Sequence, residues 1–257
     1  MQKDGKYIYC IISSSYDCNF GPIGVGGQGN LVTTIGFEGL CMVVSDHPLN
    51  KFEINPENML AHQKVIEEVM KEFSSILPLR FGVIAATPDE IRNLLNRRYR
   101  EFSELLRTFD NKVEVNVKCT WKNMDAIFKE IDLENGAFKK IKKEVKKEHN
   151  ATLQKEKITE AGKLVEKALK EKKEKESEMI LYAFKRATFD YRQNKTTGDA
   201  MFFNTAFLIN SGREKEIDNI MADLGEQYKD RIDFSYTTPL PIFNFIDLQI
   251  FPEKWET

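Results

Sequence analysis

Between Asn111 and Trp121 the side chains alternate without a break. Val113, Val115, Val117, Cys119 and Trp121 take every second position, with Glu114, Asn116, Lys118 and Thr120 between them. Only a pleated strand puts alternate residues on one face. The stretch is therefore read as a half-buried strand, its apolar face on a core and its polar face in water. Such a strand cannot stand alone, so its neighbours must be found elsewhere. The aromatic-rich run Met201 to Ile209 is one. The second alternating stretch is the other, with Ile232, Phe234 and Tyr236 set against Asp233, Ser235 and Thr237. Between them Ile217, Ile220, Met221, Leu224 and Tyr228 recur at helical spacing. This order points to a ferredoxin-like, split βαβ arrangement for the C-terminal half.

The N-terminal half reads as a second α+β unit. Tyr7 to Ile12 is a short apolar strand, and Leu31 to Ile35 with Leu40 to Val44 form a hairpin punctuated by Gly36 and Gly39. Gly21 to Gly29 reads as a loop. Asn55-Pro56-Glu57 opens one helix, with Asn55 as N-cap, and Thr87-Pro88-Asp89-Glu90 opens another. The second continues amphipathically to Phe109, with Arg97, Arg98 and Arg100 on its wet face. The apolar run Ile76 to Ala85 is interrupted by Pro78.

From Lys129 to Glu178 about half of the residues are charged, with both signs mixed and no proline. Apolar positions such as Ile141, Val145, Leu153, Ile158, Leu164, Leu169 and Ile180 are sparse. This composition predicts a charged helical, coiled-coil-like arm over residues 136–185 that projects from its domain. The domain reading is 1–110 for an N-terminal mixed α+β domain and 111–257 for a C-terminal domain carrying that insertion.

Charge excludes some function classes. Lys plus Arg is 38 and Asp plus Glu is 40, so no basic excess exists to hold a nucleic-acid backbone. No apolar run approaches the ~20 residues of a membrane helix, and no signal peptide is expected. Cys10, Cys18, Cys41 and Cys119 form no CxxC pair, which points to reduced thiols in a cytoplasmic protein. Gly24-Val25-Gly26-Gly27-Gln28-Gly29 fits GxGxxG, but a β-like run follows where a dinucleotide site needs a helix. His47, His62 and His149 are scattered, and His62 reads as a packed histidine rather than a ligand. No catalytic constellation, metal site or cofactor site is expected.

Several stretches taken together resemble a known family. They are Leu77-Pro78-Leu79-Arg80-Phe81-Gly82 after the His62 helix, Val113 to Trp121, and Asn204 to Ile209. To these are added Tyr236-Thr237-Thr238-Pro239-Leu240-Pro241 with Phe243 to Leu248, and the opening Tyr7-Ile8-Tyr9. In that order and spacing the chain resembles the gas vesicle protein family that includes GvpF and GvpL. The resemblance implies two α+β domains, the second a modified ferredoxin-like fold. It implies an accessory or minor structural role in gas vesicle formation, without catalysis. Its implied partners are the major shell protein and other accessory gas vesicle proteins, and its implied place is the cytoplasm in association with the vesicle.

The expected partner-binding residues are Arg80, Phe81, Pro239, Pro241, Phe243 and Phe245. Arg80 reads as a buried charge paired with a carboxylate, or as a surface contact for a partner. Pro239 to Phe245 reads either as a rigid, partly exposed apolar edge or as core packing. Two functions are compatible with these residues. One is an assembly factor that covers the hydrophobic shell subunit. The other is a ligand-binding regulatory module, or an enzyme, on paired ferredoxin-like folds, which would need convergent polar groups in a cleft.

Overall fold

A computed structural model describes residues 4–26, 29–49, 54–136, 140–141, 144–145 and 150–250. His149, the Gly27-Gln28 pair and part of the charged stretch lie outside these residues. The fold is mixed α+β, and backbone contacts divide the chain into two compact units. One comprises Met1–Glu114, Leu208–Ser211 and Thr238–Thr257; the other comprises Val115–Phe207 and Gly212–Thr237. The tail from Thr238 thus belongs with the first unit, whereas the sequence reading put it in the second. Its apolar side chains pack in the first unit's core, and local periodicity carries no information on that choice.

The first unit is built on β1 (Asp4–Ser13), whose apolar run lies at the centre of a sheet. The sheet order is β2 (Asn19–Gly24), β3 (Asn30–Phe37), β4 (Leu40–Pro48), β1 and β5 (Ile76–Pro78), with β6 (Ile84–Ala85) also on β1. The β3–β4 hairpin closes on Glu38 and Gly39, with φ of 49° and 85°. Both values lie in the left-handed region that tight hairpin turns require. The Gly-rich stretch expected as a loop begins as strand β2, which pairs antiparallel with β3. The GxGxxG stretch therefore follows one strand and leads into another, without the helix a dinucleotide site needs.

Each face of this sheet buries its own cluster. One holds Tyr7, Tyr9, Ile12 and Val43 against Val65, Ile66 and Val69 of α1 (Pro56–Glu72). The Asn55 side chain caps α1 by accepting from Asn58 N at 2.8 Å. The other cluster holds Ile8, Ile11 and Met42 against α2 (Pro88–Arg97) and α3 (Tyr99–Thr108), together with Ile242, Ile246, Leu248 and Ile250. The single helix expected from Thr87 to Phe109 is thus two. It breaks at Arg98, whose guanidinium leaves the wet face to lie 4.9 Å from the Phe102 ring centre and to pair with Glu101.

In a second, four-stranded sheet, most of it in the second unit, β7 (Lys112–Trp121) lies between its two expected neighbours. The order is β10 (Ile232–Leu240), β7, β9 (Met201–Asn210) and β8 (Asp190–Gln193). Counted along the chain this is 4-1-3-2. The connections carry α4 (Met124–Glu134), α5 (Ala151–Phe184) and α6 (Glu214–Gln227). Helix α5 is 34 residues long and changes character along its length. Leu153 and Ile158 are exposed, while Ile180 and Phe184 are fully buried. Phe184 stacks on Phe207 at 4.7 Å between ring centres. The last turns of α5, which the arm expectation covered, are therefore core, because aromatic partners on β9 reach them.

Candidate interaction surface

The C-terminal segment 241–250 has no regular secondary structure, yet it alternates. Ile246, Leu248 and Ile250 are buried; Asp247 and Gln249 between them are exposed. Ile242 is buried and Phe243 is 37 % exposed. A segment without ladder partners needs other anchors for its backbone; two side chains supply them, and a third pairs with a side chain of the segment. Glu114 accepts from Asn244 N at 3.0 Å and from Asn244 Nδ2 at 2.6 Å. The Arg98 guanidinium donates to Gln249 O at 3.1 Å. Arg80 pairs with Asp247 at 3.3 Å.

These anchors differ in weight. Arg80 and Asp247 are both largely exposed, so their pair adds little in water. Arg80 is thus paired with a carboxylate but not buried, because its strand has ended and the side chain faces out. Glu114 was read on the wet face of β7, but it is 3 % exposed. Burial pushes its carboxyl above the usual range, and the two hydrogen bonds from Asn244 pull the other way. Both of its hydrogen bonds come from a residue 130 positions later.

The expected site residues do not form one patch. Pro239 and Phe243 are exposed, Pro241 is buried, and Phe245 packs half-buried on the α2–α3 cluster. Phe81 packs half-buried on the α1 cluster, 6.2 Å from Tyr7 and 5.7 Å from His62 between ring centres. The structure brings Arg80 to the tail segment through Asp247 and sends Phe81 to the opposite cluster.

Beside Phe81 a chain of neutral hydrogen bonds is buried. Gly82 N donates to Tyr7 Oη at 3.1 Å, and Tyr7 Oη lies 2.8 Å from His62 Nδ1. His62 Nε2 lies 3.1 Å from Leu79 O. A carbonyl only accepts, so Nε2 carries the proton and Nδ1 accepts from Tyr7. Burial lowers the His62 pKa to about 4, against the Leu79 hydrogen bond. This histidine is held neutral as a structural link. The glycine-rich stretch is tied to the same core: Val25 N donates to Tyr9 Oη at 2.8 Å and Gly26 N to Asn58 Oδ1 at 3.1 Å. Backbone amides engaged in this way do not cradle a phosphate.

The four cysteines are free and buried. Burial pushes the Cys119 thiol up to about 12 and the Cys41 thiol, further raised by Cys18 and Asp17, to about 11. Cys41 and Cys119 are thus thiols rather than activated nucleophiles. Among the described residues no group of three or more His, Cys, Asp or Glu is placed to hold a metal ion. No helix among them is long and apolar enough to cross a membrane.

The second unit carries its own exposed aromatic surface, which sequence reasoning missed. Tyr182, Phe189 and Tyr191 are 75 %, 58 % and 44 % exposed and line a groove of about 440 Å³. The available signal was four aromatics in ten residues, Tyr182, Phe184, Phe189 and Tyr191, directly after the charged stretch.

Comparison with known proteins places this architecture. Residues 5–247 match the family described as "Gas vesicle synthesis protein GvpL/GvpF". The chain is 26 % identical to gas vesicle protein F of Streptomyces sp. (strain CB03234) over 248 residues, 94 % of this chain and 99 % of that one. It is 24 % identical to gas vesicle protein F of Microcystis aeruginosa (strain PCC 7806) over 82 % of this chain and 86 % of the relative. The crystal structure of the gas vesicle protein GvpF from Anabaena sp. PCC7120 superposes with a TM-score of 0.78. That match, at 22 % identity, covers 96 % of this chain and all of the other.

Proposed function

Since the chain belongs to the gas vesicle GvpL/GvpF family, we propose that it is a non-enzymatic accessory or minor structural protein of gas vesicle formation. It binds the hydrophobic shell subunit and other accessory gas vesicle proteins, in the cytoplasm and at the vesicle. A shell that excludes water needs subunits with large apolar faces, and such faces aggregate unless covered. The observation that carries the surface part of this reading is the tail segment. It is held by Glu114 and Arg98 so that Phe243, flanked by Pro239, stands outward on a fixed backbone. An aromatic anchored in this way loses little entropy on binding. Arg80, exposed beside it, can turn from Asp247 to a partner carboxylate. Pro241 and Phe245 support the surface from within, and Phe81, on the α1 cluster, is a contact separate from it. The two units act as separate domains, with the N-terminal part of α5 as a coiled-coil-like arm, where Lys157 pairs with Glu144 of the preceding charged stretch at 3.6 Å.

The test is a pull-down of the shell protein with Phe243→Ala, run beside a thermal melt. An exposed anchor predicts binding weakened about 30-fold, or ~2 kcal/mol, with little change in melting. Undiminished binding by a folded variant removes Phe243 from the interface. A stability loss of ~3–5 kcal/mol makes it a core residue instead.

A further inference from the structure

The four-stranded sheet ends on β8, which has a strand neighbour on one side only. Along a strand, the backbone N–H and C=O of successive residues point to opposite sides. Asn194 N, directly after β8, donates to Asn204 O of β9 at 2.7 Å. The backbone groups of Tyr191 and Gln193, at the odd positions, therefore point away from β9. At Tyr191 both are satisfied locally. Its N–H donates to Asp190 Oδ1 at 2.8 Å, and its C=O accepts from the Arg192 guanidinium at 2.9 Å. Asp190 and Arg192 also pair with each other at 2.7 Å, and each is about half exposed. Such a pair is weak in water, so an arriving strand can displace it and take over the hydrogen bonds of Tyr191.

An edge that is only being protected carries charge and little apolar surface. This edge carries aromatic rings. Phe189 and Tyr191, two positions apart, line the groove of about 440 Å³, and Leu181 and Tyr182 of α5 line it as well. All of these residues belong to the second unit. Tyr191 lies 6.4 Å from Phe207, which stacks on Phe184 of α5, so its ring is on the face that α5 covers. A groove between a helix and an open strand edge suits an extended peptide. The edge holds the backbone of the peptide, and its alternate side chains enter the groove.

Charge selects the occupant. Lys185 and Arg186 precede β8 and Lys195 follows it, all three exposed. None of them makes an ion pair among the described residues. Between residues 178 and 195 the one carboxylate likewise unpaired is Glu178, about two turns back on α5. A second copy of this chain would bring the same cations to the same edge. A segment with carboxylates at its ends meets attraction at both ends of β8.

We propose that β8 is a strand-addition site for an extended segment of a partner protein, apolar at alternate positions and flanked by carboxylates. Its backbone pairs with Tyr191 and Gln193, its apolar side chains fill the groove between α5 and β8, and its carboxylates meet Lys185, Arg186 and Lys195. This site uses none of the residues of the Phe243 surface.

The experiment is fluorescence anisotropy of the full chain with a labelled peptide, Glu-Glu-Val-Thr-Val-Thr-Val-Glu-Glu. The expected Kd is about 100 µM or tighter. A version with Lys in place of Glu should bind at least ~10-fold more weakly. Two further versions are N-methylated, one at the Val amides and one at the Thr amides. Only one of these sets faces β8, so one version should lose at least ~10-fold and the other little. In the protein, Gln193→Pro removes an outward N–H at an edge where proline is tolerated. It should keep its melting temperature and weaken the peptide at least ~10-fold. Should it fail to fold, Tyr182→Ser on the exposed wall of the groove should weaken the peptide about 10-fold. Four results overturn the proposal: no binding at about 1 mM peptide; Lys and Glu peptides that bind alike; equal effects of the two methylation patterns; or unchanged affinity in the folded variants. A dimer of the chain alone, lost in Gln193→Pro on sedimentation, would make the occupant a second copy and overturn it too.

Discussion

The two units bury polar groups in opposite ways. The first does so with neutral partners: the Gly82–Tyr7–His62–Leu79 chain, and Tyr9 Oη with Ser45 Oγ at 2.7 Å. The second uses charge. Arg231 holds Glu130 through two bonds of 2.6 and 2.9 Å and reaches Glu176 at 2.6 Å. Glu176 also accepts from Trp121 Nε1 at 2.7 Å, and Lys172 pairs with Glu130 at 2.9 Å. The network is placed at the edge, where Glu130 and Arg231 keep about a third of their side-chain surface in water. Full burial of those ions would cost more than their attraction returns. The Tyr7–His62–Leu79 part of the first unit's chain is buried with no member charged at neutral pH. These two networks should therefore respond to acid in different pH windows.

The largest effect tests whether the second unit relies on its ions or on its aromatic packing. Phe184→Ala removes a fully buried ring stacked on Phe207 and should cost ~3–5 kcal/mol. Ile158→Ser, on the exposed part of the same helix, should stay within about 0.5 kcal/mol. Urea unfolding read by hydrogen exchange in each unit separates them, and equal losses would break the division of α5 into core and arm.

Acid should find the first unit first. His62 has a pKa of about 4 in the fold against 6.5 outside it. Between these values the unfolded chain binds more protons than the native one. Stability is therefore full above pH 6.5 and is lost as the pH falls toward 4, by roughly 3 kcal/mol in total. His62→Gln should start less stable and lose that slope. A wild-type first unit whose exchange protection is flat from pH 6.5 to 4 would contradict the neutral-chain account.

The smallest effect sharpens the same contrast. The Arg231 hydrogen bonds hold the Glu130 carboxyl at about 2, against 4.5 in the unfolded chain, and outweigh its burial. The network's contribution is thus present above pH 4.5 and lost as the pH falls toward 2. Water screens this half-exposed pair, so the loss is about 1 kcal/mol. Glu130→Gln should abolish the slope in the second unit and leave the first unit's pH profile untouched.

Legibility in the sequence followed the range of the interactions. The alternation from Val113 to Trp121, the Asn55 and Thr87 caps and the β3–β4 hairpin were readable, because each is set by residues within a few positions. The break at Arg98 was not, since Arg98 also binds Gln249 O, far along the chain. Of the expected surface residues, Arg80, Pro239 and Phe243 do face water, while Pro241 does not. Phe81 and Phe245 are the same residue type, yet they pack on opposite clusters.

By itself the sequence determined the type of most elements, the partners of β7 and, through the order of its motifs, the gas vesicle family. Period-2 and period-3.6 patterns and turn residues act locally, and a family signature is a matter of order along the chain. Only the tertiary structure decided that Glu114 is buried, that His62 is neutral, that the tail from Thr238 joins the first unit, and that the Thr205 hydroxyl is buried without a partner among the described residues. Each of these depends on whether water reaches a polar atom. Residues tens to more than a hundred positions away settle that point when the chain closes over the atom.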